Sequence, residues 1–199
     1  MKTFEEAIKQ RRSHYALSNR SPVPDSQIQE IIDTVVTNMP SAFNSQTTRV
    51  VLLLDKQHQT LWNIVKDTLR KHISPEAYAK TQEKVDKSFA SGYGTILFFE
   101  DQLTVQQLQA KFPSYAANFP VWSQQTSAIH QFSIWVMLEE AGFGASLQHY
   151  NPIIDDEVKA TWKLPDNWQL ISQMPFGVSL ETPGDKTSLP LEERVCVFR

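Results

Sequence analysis

Residues 126–144 read TSAIHQFSIWVMLEEAGFG. Apolar side chains fall on nearly every side of this stretch when it is wound at helical pitch. That pattern predicts a helix buried all round rather than one half in water. Gly142 and Gly144 end it, because glycine adopts the left-handed conformation that closes a helix at little steric cost. Such a helix needs other elements to cover it, and the flanking sequence supplies them. GTILFFED (94–101) upstream and WQLISQMPFGV (168–178) downstream are short and rich in apolar residues, and both predict buried strands. TRVVLLL (48–54) predicts another strand ending near Asp55, and LEERVCVF (191–198) a fourth at the end of the chain.

The segments between are helical in pattern. Thr3 followed by Glu6 predicts a capping box, with Phe4, Ala7 and Ile8 starting an apolar face. Ile28, Ile31, Ile32, Val35 and Val36 recur at helical spacing and predict a helix from about Ser26 to Asn38, with Ser26 and Gln29 as its capping pair. Further helices are predicted near 57–72, from Ser74 with Pro75 in the first turn, and near 155–162. KFPSYAANFPVW (111–122) reads as irregular, and suits a lid, an oligomer contact or a packed loop. The whole predicts one domain over 1–199, of α+β or α/β class, with a modest sheet wrapped in helices.

Composition narrows the function. The hydrophobic set is 41% and the charged set 21%, with a formal net charge of −3. These values describe a water-soluble globular chain and give no basic stripe for nucleic acid or anionic membrane. The longest apolar runs are strand-sized, the start MKTFEEAIKQ has no signal-peptide core, and Cys196 is the single cysteine. A reducing, cytoplasmic setting is the expectation. The five histidines, at 14, 58, 72, 130 and 149, show no metal-ligand spacing. Nucleophile-elbow, phosphate-loop and zinc-protease motifs are missing, and no glycine fingerprint follows a strand. Side chains alone offer no acid–base or nucleophilic machinery. An enzyme built on this chain would lean on a bound cofactor.

Four segments carry cofactor-binding chemistry. IKQRRSHYAL (8–17) concentrates positive charge at Arg11 and Arg12 and adds the Ser13 hydroxyl. It reads either as charge complementing a helix dipole or as an anion site, since guanidinium forks match phosphate oxygens. MPSAFNSQ (39–46) offers small polar residues in a turn, GFGASLQHYNP (142–152) follows the core helix with two glycines, and PGDKTSLPLEERV (183–195) sets Lys186 among hydroxyls.

In this order the four segments resemble the FMN-dependent nitroreductase family over nearly the whole chain. The likeness is strongest to a short subgroup with RRS-x-Y-x-L near its start and SLQHYNP in its middle. The resemblance implies a nitroreductase-like α+β fold, with a small, mostly antiparallel sheet and an intertwined homodimer holding FMN at its interface. It implies that Arg11, Arg12 and Ser13 meet the phosphate or ribityl end, joined by Lys186, with Tyr15 nearby. Ser41 and Asn44 match the turn that the partner subunit lays against the flavin. Leu147, Gln148, His149 and Tyr150 match the segment along the ring edge, where a backbone N–H reaches N5. Many relatives have a lysine two residues after the serine; here Tyr15 stands there, with Arg12 and Lys87 as alternative cations. The activity implied is electron transfer from NADH or NADPH through FMN to a nitroaromatic or quinone. Tyr115, Phe119 and Trp122 are candidates to roof the acceptor. An enone or lipid acceptor, or a flavin-binding dimer without catalysis, stand as alternatives.

Overall fold

A computed structural model of the chain describes residues 2–199. Its centre is β3 (Gly94–Asp101), buried along its whole length. β3 pairs antiparallel with β2 (Thr48–Leu54) on one side and β5 (Trp168–Ser179) on the other. Two-residue strands β1 (Leu17–Ser18) and β4 (Gly144–Ala145) both pair antiparallel with β5. The continuous apolar run of β3 follows from this central place: Ile96 and Phe98 face one core, Leu97 and Phe99 the other.

The first core is closed by α2 (Asp25–Asn38) and α6 (Phe119–Glu140), through Ile28, Ile31, Val35, Ile134 and Leu138. The second is closed by α3 (Asp55–His72), α4 (Pro75–Ser88) and α7 (Asp155–Trp162), with Trp62 and Phe89 fully buried. The fold is the predicted α+β sheet wrapped in helices. Residues 126–144 behave as read: Gly142 takes φ +93 at the helix end, and the Phe143 amide turns back to the Leu138 carbonyl at 2.9 Å. The helix starts seven residues earlier than its pattern indicated, at Phe119, because Pro120 sits in its first turn. A buried carboxylate fixes this early part. Glu100, on β3, accepts from the Ser123 hydroxyl of α6 and the Thr48 hydroxyl of β2, each at 2.6 Å.

Three sequence expectations are corrected. LEERVCVF is not a strand: it holds one 3-10 turn (Leu191–Glu193), and Val195, Val197 and Phe198 are exposed. The segment pairs with no strand of the sheet, and strand propensity is realised only in such a pairing. Ser26 does not cap α2; Pro24 stands at that position without a side-chain bond. Helix α5 (Gln102–Lys111) was not expected; Asp101 caps it, accepting from the amides of Leu103 and Thr104. The Thr3–Glu6 capping box of α1 (Phe4–Gln10) and the Ser74 cap of α4 are both present.

On α1 only Ala7 is buried, while Phe4 and Ile8 are exposed. Val121, Ile129 and Phe132 of α6 are also exposed. No helix among the described residues is long and apolar enough to cross a membrane.

Candidate functional site

Helix α1 ends at Arg11, whose amide still donates to the Ala7 carbonyl at 2.8 Å. The chain then runs extended beside β4, with Ser13 bridged to Ala145 and the His14 amide donating to the Ala145 carbonyl at 3.0 Å. Two cavities open along this stretch. The first, of about 530 Å³, is lined by Arg11, Arg12, Ser13, His14, Tyr15 and Lys186, among others. Three cations and a hydroxyl converge there from opposite ends of the sequence, which is donor chemistry for a phosphate dianion. The second, of about 340 Å³, lies among Arg11, Ser13, Gln131, Phe132, Trp135 and Leu147. Arg11 and Ser13 line both, so an ionic end and an apolar end adjoin.

Arg11 is half-buried, with its guanidinium carbon 4.3 Å from the Trp135 ring centroid. Burial, then the neighbouring Arg12, lowers its pKa from the ordinary arginine value against the pull of Glu139. Burial also lowers that of His14, with Arg12 and Arg11 adding to it and Glu139 and the Glu181 carbonyl opposing. Burial penalises charge of either sign, but the repulsion between the neighbouring Arg11 and Arg12 is relieved by an anion placed beside them.

The segment after β4 is held by a residue the sequence did not single out. Gln173, fully buried on β5, exchanges backbone hydrogen bonds with Gln148 at 2.7 and 2.9 Å. Its side-chain oxygen accepts from the Tyr150 amide at 2.8 Å, and its nitrogen donates to Asn151 Oδ1 at 3.3 Å. The Gln148 and Tyr150 amides are therefore taken. Those of Leu147 and His149 have no acceptor among the described residues. Alternate amides thus face away from β5, with Leu147 on the second cavity. Tyr150 itself turns inward, its ring packed edge-on to Trp62 and Phe89, and burial pushes its phenol up to about 12. Leu147 packs against the first core instead, while His149 is exposed.

Ser41, Asn44, Tyr115, Phe119 and Trp122 form a separate group. Ser41 pins its turn by accepting the Asn44 amide on its carbonyl and the Gln46 amide on its hydroxyl, both at 3.0 Å. Phe43, Asn44 and Gln46 all lie at positive φ, between 48° and 58°, which costs free energy in a residue bearing a Cβ. Phe43 is the hub: its ring stacks on Trp122 (centroids 5.8 Å, 25° between planes) and also meets Phe112, Tyr115 and Phe119. Sequence reading overlooked it because a lone phenylalanine in a polar turn has no periodic signal.

The two groups sit at opposite ends of α6. Trp122 is near its start, and Trp135 lies thirteen residues on, about 20 Å along the axis at 1.5 Å per residue. Lys87, the alternative cation, is on α4 and pairs with Glu83 at 2.6 Å, away from both cavities.

A sequence model described as the nitroreductase family matches residues 8–178. The nitroreductase FRM2 of Saccharomyces cerevisiae is 33% identical over 186 residues, covering 92% of each chain. The solved nitroreductase CinD from Lactococcus lactis in complex with chloramphenicol is 40% identical, with a TM-score of 0.90 over 99% of this chain and 100% of that one. The same protein in complex with 4-nitrophenol superposes with a TM-score of 0.89 at 40% identity over the same shares. A fold that matches end to end, a family match over residues 8–178 and sequence identity at this level have one reading: the chain belongs to the nitroreductase family of oxidoreductases.

Proposed function

We propose that the chain is an FMN-dependent homodimer that moves electrons from NADH or NADPH to a nitroaromatic or quinone. The observation that carries this reading is the shared wall of the two cavities. Arg11 and Ser13 belong to both, joining a phosphate-like donor set to a largely apolar cavity walled by Phe132, Trp135 and Leu147. When bound there, FMN supplies the two-electron chemistry that the side chains lack. The residues present fit it. Arg11, Arg12 and Lys186 neutralise the phosphate and Ser13 adds a neutral donor. The unpaired amides of Leu147 and His149 are available to the ring edge. Preorganised donors of this kind stabilise charge that develops during reduction, without reorganising. Of the two cations offered in place of the relatives' lysine, Lys87 lines neither cavity and Arg12 lines only the phosphate end.

A second copy completes the site. The aromatic group around Phe43 is about 20 Å along α6 from Trp135, too far for one subunit to fold it over its own cavity. Exposed Val121, Ile129 and Phe132 leave an apolar face on α6, and Phe4 and Ile8 another on α1. Faces of this kind bury against a partner. Pairing α6 with its copy brings the Ser41–Asn44 turn and Tyr115, Phe119 and Trp122 of one subunit over the cavities of the other. There Tyr115 and Trp122 stack on flat acceptors and exclude water, while Phe119, buried in its own subunit, backs them. CinD was solved with 4-nitrophenol, which supports a nitroaromatic acceptor.

The test is the visible spectrum of the purified protein, followed anaerobically as NADH or NADPH is added. A flavin spectrum that bleaches with one donor and returns on adding 4-nitrophenol or a quinone is the expected result. A protein that stays colourless after incubation with FMN overturns the proposal.

A further inference from the structure

His14 lies where the two arms of the cation-lined cavity meet, and flavin binding as proposed gives it no part. Its ring packs on Gly144, where a Cβ would come within 2.8 Å of the imidazole Cγ. Its Nδ1 is 2.8 Å from Ser179 Oγ. The Ser179 hydroxyl donates its proton to the Glu181 carbonyl at 2.7 Å, so towards His14 it accepts, and the imidazole carries its proton on Nδ1. The His14 amide is meanwhile bonded to Ala145. One residue thus ties together the Arg11–Tyr15 arm, β4 and the end of β5.

The path of the chain beyond β5 makes that tie consequential. The Leu180 amide donates to the Ala16 carbonyl at 2.8 Å. After it, the hydrogen bonds that hold residues 181–199 to the rest of the chain, among those described, all run through the Ser179 hydroxyl: it accepts the Glu181 amide at 3.4 Å and donates to the Glu181 carbonyl. Lys186, exposed and five residues further, lines the same cavity. The charged groups nearby are Arg11 and Arg12 on the same arm, Glu139 on α6, and Glu181 and Lys186 on the tail.

We propose that His14, bonded to Ser179, is a positioning residue that sets the spacing between the arginine arm and the Lys186 arm, and so selects a flavin bearing a phosphate over one without. The proposal rests on reading the larger cavity as the phosphate end of the flavin site. A cation tethered in place loses less freedom on binding than one on a loose tail, and the difference appears only for a ligand with an anion to meet it. Riboflavin, which shares the ring and ribityl chain but has no phosphate, is the control.

The test is fluorescence titration of the full-length protein, freed of flavin by dialysis, with FMN and with riboflavin. His14→Phe keeps a ring against Gly144 and removes the donor; Ser179→Ala removes the acceptor. Each is expected to weaken FMN by about threefold to tenfold, the range of one neutral hydrogen bond, and leave riboflavin within about twofold. The double variant is expected to be no weaker than Ser179→Ala alone, because that variant already removes the bond to His14. His14→Asn, whose amide can donate from a similar point, is expected to recover FMN affinity. Equal losses for both ligands, losses that multiply in the double variant, or unchanged FMN binding each overturn the proposal. His14→Leu decides the matter if His14→Phe does not fold, since Ser179→Ala also removes the Glu181 bonds. Arg11→Ala and Lys186→Ala separate the two levels. If neither changes the preference for FMN over riboflavin, the cavity reading fails and takes the proposal with it. If they do and the His14 and Ser179 variants do not, only the positioning role fails.

Discussion

Arg11 holds its guanidinium carbon 4.3 Å from the centroid of the Trp135 ring while lining both cavities. Its guanidinium N–H groups have no acceptor among the described residues, which leaves them free for oxygen ligands. The tryptophan therefore aims the arginine rather than occupying it.

Replacing Arg11 with alanine is expected to weaken FMN binding about tenfold to a hundredfold, as for a lost charge-assisted hydrogen bond. Arg11→Lys should recover only part, because lysine lacks the planar fork. Flavin per subunit after gel filtration reads the result, and full retention in Arg11→Ala would remove Arg11 from the site.

Phe43→Ala should raise the KM for a nitroaromatic by about threefold to tenfold, the worth of an aromatic pair beyond simple burial. Trp122 loses its stacking partner in that variant, so its fluorescence should change as well. Steady-state kinetics with 4-nitrophenol decide this, and an unchanged KM would make the ring cluster structural only.

Ile129→Glu places a charge on the exposed apolar face of α6. The expected outcome is a monomer in sedimentation velocity and the loss of bound flavin with it. A monomer that keeps FMN would show that one subunit is enough for cofactor binding.

Gln173→Leu conserves size but leaves the Tyr150 amide and Asn151 Oδ1 without their partner. A buried donor left unmet costs about 1–3 kcal/mol. Urea unfolding should register that loss, and a midpoint equal to the parent's would contradict it.

His58 gives a pH dependence. It is buried, with Nδ1 2.8 Å from the Thr95 hydroxyl and Nε2 3.2 Å from the Ala90 carbonyl. Thr95 also accepts from the Trp62 indole at 3.0 Å, so the neutral ring with its proton on Nε2 satisfies every partner. Burial lowers its pKa below 6.5, outweighing the Ala90 carbonyl. The unfolded chain then binds the proton more readily than the folded one. Stability is kept above about pH 6.5 and falls as the pH drops through the lowered value. His14 is shifted in the same direction and adds to the effect. His58→Gln should flatten the fall between pH 7.5 and 5.5 in urea unfolding; an equal slope in both proteins would exclude His58 as its source.

The sequence by itself determined the elements whose signal is local. The buried character of β3, the stop of α6 at Gly142, the Thr3 and Ser74 caps and the periodic face of α2 all follow from residues within a few positions of one another. It also offered Arg11, Arg12, Ser13 and Lys186 as cofactor candidates, through the order of the segments that carry them rather than through any one segment alone. Tertiary structure decided the rest. Whether 191–198 became a strand depended on pairing with the sheet, which the segment does not do. That Tyr150 turns inward and Gln173 holds the 147–151 segment depends on β5 lying beside it, more than twenty residues away. Phe43 becomes a hub only because α6 brings Trp122 beneath it. Hydrogen bonds and ring contacts between distant segments leave no periodic trace in a sequence, since each partner is chosen by where the chain returns rather than by its neighbours.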